Sequence, residues 1–291
     1  MTKTVRNISL LSCIIIGILG TTYVAWALIP KPTTFYIVVP TYNNEEWCVE
    51  NLESVITQTY PHWHMIIMND ASTDSTSALL HAAVKQHHVE DKVTIIDNKQ
   101  RIGACRNIYD AIHGSTDAQT HIIRECPSNY VVCILDGDDW YAHSGSLALV
   151  SHEYKDPNVW MTYGNYQCWP NEVESWCAPL VPKIVKERLF RKVRWFTSHH
   201  RTYYAWLLKH IKKQDLMYNG KFLETTCDMA FTFPALEMSS GGNHPYGHIR
   251  FIAEKIYTYN IATAANDYKV RYDLQEHMHQ YIRHLPCYTP L

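Results

Sequence analysis

Short apolar runs alternate with segments of helical spacing through the first half of this chain. Phe35 to Val39 (Phe-Tyr-Ile-Val-Val), Met65 to Met68, Val93 to Ile96 and Tyr130 to Leu135 are apolar stretches of strand length, and such runs read as buried strands. Between them, Glu46 to Thr57 carries Trp47, Leu52, Val55 and Ile56 at helical spacing, with Tyr60-Pro61 marking its end. Ser75 to His87 follows the capping sequence Ser72-Thr73-Asp74-Ser75, and Gly103 to His113 supplies a third helix. Strands alternating with helices predict an α/β fold with a mostly parallel central sheet flanked by helices. The second half is less regular. It has helical periodicity at Thr202 to Ile211 and Ala230 to Met238, and a final helix is expected from Tyr268 to about His284. No linker composition separates the halves 32–165 and 166–291, so one body is expected, the second half closing the open side of the sheet.

Polar residues gather where the strands end: Thr41-Tyr42-Asn43, Asn69-Asp70 and Asp136-Gly137-Asp138-Asp139. Ligands of open α/β sheets bind beyond the carboxyl ends of the strands, so these ends point to a pocket. Three carboxylates within four positions repel one another unless a cation neutralises them, and Mg2+ or Mn2+ prefers oxygen ligands of this kind. Alternation puts Asp136 and Asp138 on one side, with Gly137 between them leaving room for a ligand. An acidic turn capping the next helix is the other reading of the same residues.

The 291 residues are 46% hydrophobic, enough for a substantial core, and the formal charge of −2 gives no reason to expect nucleic acid as a partner. The 17 histidines are scattered. From Ile8 to Ile29 no side chain is charged, and these 22 positions would span roughly 33 Å as a helix, enough to cross a bilayer. Lys3 and Arg6 precede this stretch, so residues 1–31 are expected to be a cytosolic tail and transmembrane anchor, making a single-pass protein with its body in a Golgi- or ER-like lumen. A signal peptide cleaved near Ala25-Trp26-Ala27 is the competing expectation. Of nine cysteines, Cys168 and Cys177 flank a loop and could pair in an exported body; the absence of any Cys-x-x-Cys argues against structural zinc.

Five motifs in order resemble the family 2 glycosyltransferases, whose nucleotide-binding fold is the Rossmann-like GT-A fold. They are Val38-Val39-Pro40-Thr41-Tyr42-Asn43, Glu53-Ser54-Val55 with Gln58-Thr59-Tyr60, Asn69-Asp70-Ala71-Ser72-Thr73-Asp74, Gly103-Ala104-Cys105-Arg106-Asn107 and Asp136-Gly137-Asp138-Asp139. A weaker likeness to one branch of that family runs through Cys227-Asp228, Phe233 to Met238, His248 to Phe251, Tyr257 to Asn260 and Asn266-Asp267.

The resemblance implies a nucleotide-sugar donor, usually a UDP-sugar, with its diphosphate held through Mn2+ or Mg2+. It places Thr41, Tyr42 and Asp70 around the base, Asp136 near the ribose, and Asp138 on the metal with Asp136, with Pro40, Asn43 and Gly137 among the donor-binding residues. Arg106 becomes a candidate for the base or phosphates, with an ordinary surface arginine on a helix as its other reading. Asp228 matches the general base that takes the acceptor's proton in an inverting displacement. N-capping is the other reading of Asp228, and Glu224 the substitute base. His199, His200 and Arg201 are expected in a lid over the diphosphate; His248 is expected to pack or make a structural hydrogen bond, with a further metal ligand as its other reading. The acceptor would be a glycan, protein or lipid. Two rivals remain: a non-catalytic sugar-nucleotide binder on the same scaffold, and a lipid-phosphate glycosyltransferase with a cytosolic body.

Overall fold

Strand β1 (Phe35–Thr41) is buried along nearly its whole length on both faces, as its unbroken apolar sequence requires of a central parallel strand. The computed structural model describes residues 32–117, 123–171, 173, 175–263 and 271–291. After β1 come α1 (Cys48–Ile56), β2 (Trp63–Asn69), α2 (Thr76–Gln86), β3 (Val93–Asp97), α3 (Ala104–His113), β4 (Val131–Ile134) and β5 (Trp140–Tyr141). The chain continues through α4 (Ser146–Glu153), β6 (Met161–Trp169), α5 (Pro182–Lys186), β7 (Thr202–Tyr204), α6 (Ala205–Lys209), β8 (Met217–Tyr218) and β9 (Lys221–Phe222). It closes with α7 (Cys227–Met238), β10 (Ile249–Asn260) and α8 (Tyr272–His284).

Eight strands form one sheet in the order β3-β2-β1-β4-β7-β6-β10-β5. Pairings β1–β2, β1–β4, β2–β3 and β6–β10 are parallel, while β7 runs antiparallel to both β4 and β6, and β5 to β10. The mostly parallel α/β architecture expected from the strand–helix alternation is therefore present, with β7 and β5 as reversed strands. Residues 33–291 form one compact unit, and β6 runs across position 165.

Alternation along the strands sorts the apolar side chains onto two faces. Val38, Ile66, Met68, Val132 and Ile134 pack with Ile108 and Ile112 of α3 and with Phe231 and Leu236 of α7. Ile37, Val39, Met65, Ile67 and Cys133 pack on the other side with Leu52 of α1, Leu80 of α2 and Leu147 of α4.

Pro40 lies inside β1 rather than ending it. The Val38 carbonyl accepts Leu135 N (3.0 Å), so position 40 also turns its nitrogen toward β4. The β1–β4 register has already finished at Val38↔Ile134 there, so the missing N–H leaves no ladder bond unmade.

The helix expected over Thr202 to Ile211 begins as a strand. Thr202, Tyr203 and Tyr204 are β-branched or aromatic and pair with β4 and β6, and only from Ala205 does the chain turn helical. Sheet pairing prevails over helical periodicity for these three residues. Cys168 and Cys177, a candidate disulfide, are both free thiols. No described helix is long and apolar enough to cross a membrane; the span read at Ile8 to Ile29 lies outside the described residues, as do Asn266-Asp267 and the start expected for the last helix.

Candidate active site

The acidic turn after β4 is clamped from three directions. Asp139 N donates to the Asp136 carbonyl (3.0 Å), closing the turn. Asn51 Nδ2, from α1, donates to the carbonyls of both Asp136 (2.9 Å) and Asp139 (2.7 Å). From the far side, Tyr257 Oη and Asn260 N of β10 donate to the two carboxylate oxygens of Asp139, at 2.6 and 2.7 Å. The Tyr257 hydroxyl also accepts Asp136 N at 3.3 Å. Register shifts in β10 against β6, between Phe251 and Tyr257, fall just before these residues, where a bulge re-aims side chains.

Asp139 is 1% exposed. Burial, followed by the neighbouring Asp138 and Asp136 carboxylates, pushes its carboxyl well above the usual range. Tyr257→Phe removes one donor to this buried group and is expected to cost roughly 1–3 kcal/mol of stability, measurable by urea denaturation; no change in midpoint would deny the clamp its role.

Gly137 answers to the fold rather than to a ligand. A Cβ there would lie 2.6 Å from Thr41 Oγ1 and 2.9 Å from the Pro40 carbonyl, so the space expected for an approaching ligand is filled by the end of β1. Asn44 Nδ2, also from the β1 end, donates to the Gly137 carbonyl.

Asp136, Asp139 and His199 bring one ligand atom each to within 4.8 Å of one another. Two carboxylates and an imidazole make a donor set suited to a divalent cation. Burial, reinforced by Arg201 and His200, holds the His199 pKa well below its ordinary value, so the ring is neutral and able to ligate. Its plane is set by stacking on Tyr257 (4.6 Å between centroids) and Tyr259 (5.4 Å). Asp138, assigned to the metal on sequence, is half-buried beside this group and is not one of its three members.

The segment 199–201 is wall, not lid. His200 is fully buried with Nε2 3.2 Å from Tyr141 Oη, and its pKa is pulled down to about 3 by burial and by Arg201. Arg201, 2% exposed, donates from NH1 to Asp228 Oδ2 at 3.2 Å. Burial alone would lower its pKa, but Asp228, with Tyr203 and Asp136, more than offsets this and secures the charge. Arg201 Nε is buried without a partner.

Asp228 sits in the first turn of α7, whose N-cap, Thr226, makes no side-chain capping bond. Its carboxylate therefore serves Arg201 rather than a cap, and about a third of the side chain remains exposed. It faces a cavity of about 600 Å3 that His199 also lines. Glu224, the substitute base, is 66% exposed, pairs with Arg271 at 3.5 Å and lines a different cavity of about 690 Å3.

Thr41 is buried with its Oγ1 unpartnered, and the Arg101 guanidinium lies 3.8 Å from the Tyr42 ring centroid. Asn43 joins two loops: its N donates to Ser72 Oγ and its Oδ1 accepts Thr73 N. Asp70, expected to meet the base, accepts Ile102 N (2.8 Å) and Gly103 N (2.9 Å), with Asn98 Nδ2 at 3.1 Å. In this structure it organises the loop into α3. Arg106 pairs with Asp110 (3.3 Å) and Asp117 (2.8 Å) while lining the 690 Å3 cavity. His248 packs, stacked 3.5 Å from Trp160 with Nδ1 2.6 Å from the Asn158 carbonyl. Asn51 and the roles of Tyr257 and Asn260 escaped the sequence reading, because hydrogen bonds across 85 to 121 positions leave no local pattern.

Among curated proteins, the chain is 26% identical over 159 residues to the UDP-Glc:alpha-D-GlcNAc-diphosphoundecaprenol beta-1,3-glucosyltransferase WfgD of Escherichia coli, covering 53% of this chain and 54% of that protein. Across the first curated relatives it spans from a fifth to about half of their length. Among solved structures, S. aureus TarS 1–349 in complex with UDP matches with a TM-score of 0.56 and 16% identity, over 79% of this chain and 61% of that one. The mannosyltransferase PcManGT from Pyrobaculum calidifontis, in complex with GDP-Man and Mn2+, matches with a TM-score of 0.52 and 18% identity, over 91% and 70%. At these identities the structures establish a shared GT-A fold. The family model described as glycosyl transferase family 2 matches residues 36–210, more than half of the chain, and the protein belongs to that family.

Proposed function

We propose that the protein is a metal-dependent, inverting glycosyltransferase that moves a sugar from a nucleotide diphosphate sugar, a UDP-sugar in the first instance, to an acceptor hydroxyl. The observation that carries this reading is one cavity whose wall holds both His199 of the Asp136–Asp139–His199 group and the carboxylate of Asp228. UDP in TarS and GDP-Man with Mn2+ in PcManGT support a nucleotide-sugar donor on this fold.

Asp136, Asp139 and the neutral His199 would hold Mn2+ or Mg2+, which supplies neutralisation of the charge left on the departing diphosphate. Mixed oxygen and imidazole donors favour Mn2+ over Mg2+. The chain's own groups do the rest. Asp228 accepts the proton of the attacking hydroxyl, and Arg201 fixes the carboxylate's position through its NH1. The clamp of Asn51, Tyr257 and Asn260 keeps the acidic turn from moving as charge develops.

The test is nucleotide release from a panel of UDP- and GDP-sugars with Mn2+, with and without saccharide acceptors. Turnover of at least one donor is expected. Binding of donors without release under any condition would instead support a non-catalytic binder. Anchoring through residues 8–29, with the body in a secretory lumen, remains part of the proposal; protease protection of the body in sealed vesicles is its expected result, and digestion its refutation.

A further inference from the structure

We infer that the basic cavity of about 690 Å3 is a second acceptor subsite for an anionic group, phosphate or carboxylate, set apart from the reacting hydroxyl. The inference rests on the glycosyltransferase reading above. Five cations from separate segments line this cavity: Arg101 ahead of α3, Arg106 in α3, Lys213 ahead of β8, Lys221 in β9 and Arg271 just before α8. Rings and carboxylates set several of them in place. Arg101 lies over the Tyr42 ring with Nε 3.8 Å from Asp70, and Arg271 is 3.5 Å from Glu224. Lys213 sits 5.6 and 5.4 Å from the ring centroids of Tyr109 and Phe222. Arg106 is engaged by Asp110 and Asp117. Among the described residues, the other four donate no side-chain hydrogen bond, and neither lysine has a carboxylate within ion-pair distance. Cations held in position with N–H groups still to donate are preorganised for phosphate or carboxylate oxygens.

The charge balance stays positive when every paired acid is included. Glu224, Asp70, Asp110 and Asp117 are four carboxylates against five cations. Residues 118–122 and 264–270, outside the described ones, contain one aspartate and one lysine, so the balance does not turn on them. The donor makes no use of this set: its diphosphate is assigned to the ion at Asp136, Asp139 and His199, and a nucleobase at Tyr42 is uncharged. What the basic cavity does adjoin is the cavity of Asp228. Thr226 Oγ1 donates to the Gln275 carbonyl at 3.4 Å, and Gln275 N to the Arg271 carbonyl at 2.9 Å, tying the segment 224–226 to the first turn of α8. Glu224 and Arg271 line the basic cavity on one side of this partition. Thr226, Tyr272 and Gln275 line the Asp228 cavity on the other. An acceptor with its hydroxyl against Asp228 has one loop and one helical turn to cross before a later unit lies beside Arg271, Lys213 and Lys221.

The experiment uses the full chain with Mn2+ and the donor that gives the fastest release in the panel. Trigalacturonate is compared with its neutral methyl ester, and a phosphorylated cellotriose with cellotriose, so the two pairs tell carboxylate from phosphate. At least one anionic acceptor is expected to exceed its neutral counterpart by about 10-fold or more in kcat/KM, mainly through KM, as a hydrogen bond to a charged group supplies. The advantage should shrink as salt is raised. Lys213→Glu combined with Lys221→Glu, both at exposed positions, should remove it while kcat on the neutral acceptor and Mn2+-dependent UDP affinity stay within about twofold. Equal use of charged and neutral acceptors, or an advantage that survives the double substitution, would overturn the inference and leave the transferase reading standing. A loss of UDP affinity as large as the loss of acceptor would also overturn it, since the cavity would then serve the donor. Calorimetric titration of the same oligosaccharides in excess EDTA reads binding without turnover. Anionic oligosaccharides that bind wild type well above the double variant, with no donor consumed under any condition, would uphold the anion site and sink the transferase reading. Neither turnover nor binding would sink both.

Discussion

Asp228→Asn is expected to lower sugar transfer about 100- to 10,000-fold while donor affinity stays within about twofold, as loss of a general base does. The substitution keeps the size of the side chain and an oxygen for Arg201 NH1, so the first turn of α7 should stay in place. What it removes is the ability to take a proton from a hydroxyl as that hydroxyl attacks the anomeric carbon. The buried Arg201 cation holds the carboxylate at the cavity wall where an acceptor would lie. Steady-state transfer alongside equilibrium donor binding separates the two effects. Transfer at wild-type rate would remove Asp228 from the mechanism and leave Glu224, across in the basic cavity, as a poorly placed substitute.

Asp136→Ala should lower Mn2+-dependent affinity for UDP at least 100-fold while the protein stays folded. Asp136 is shared by the metal assignment made on sequence and by the group found in the structure, and its side chain is only half-buried. Asp139 is a poorer choice for such a test. Its carboxylate joins the turn to Tyr257 and Asn260, so replacing it also loosens β10 against the turn. Asp138→Ala, measured in parallel, tells whether Asp138 belongs on the ion as its spacing suggested or acts only as a neighbouring charge. Mn2+ electron paramagnetic resonance titrations with and without UDP give the affinities directly. Undiminished ternary binding by Asp136→Ala would place the ion elsewhere.

The first four strands and first three helices were legible because their apolar periodicity is local and their burial two-sided. The segment from Thr202 was not: its periodicity fits a helix, and only β4 and β6, more than 30 positions away in sequence, make it a strand. Polar strand ends pointed to the sheet's carboxyl edge, where Asp136 and Asp139 lie beside His199, yet the contacts of individual residues were less readable. Gly137 looked like room for a ligand, but the end of β1 fills that room. Asp70 looked like a contact for the base, but loop N–H groups converge on it. His199 was noted as lid material, and its place beside Asp136 and Asp139 depends on the antiparallel course of β7, which no short motif encodes. Asp228 stood out in sequence only by likeness; its pairing with a buried arginine 27 positions earlier appears only in three dimensions.

At the centre of this account, aspartates after β4 bind a nucleotide diphosphate through a divalent ion. Calorimetric titration of UDP into the wild-type protein, once with Mn2+ and once with excess EDTA, addresses that claim most directly. The account predicts saturable binding with Mn2+ and at least 100-fold weaker binding in chelator, about 3 kcal/mol. Equal affinity in the two titrations, or no binding in either, would contradict it.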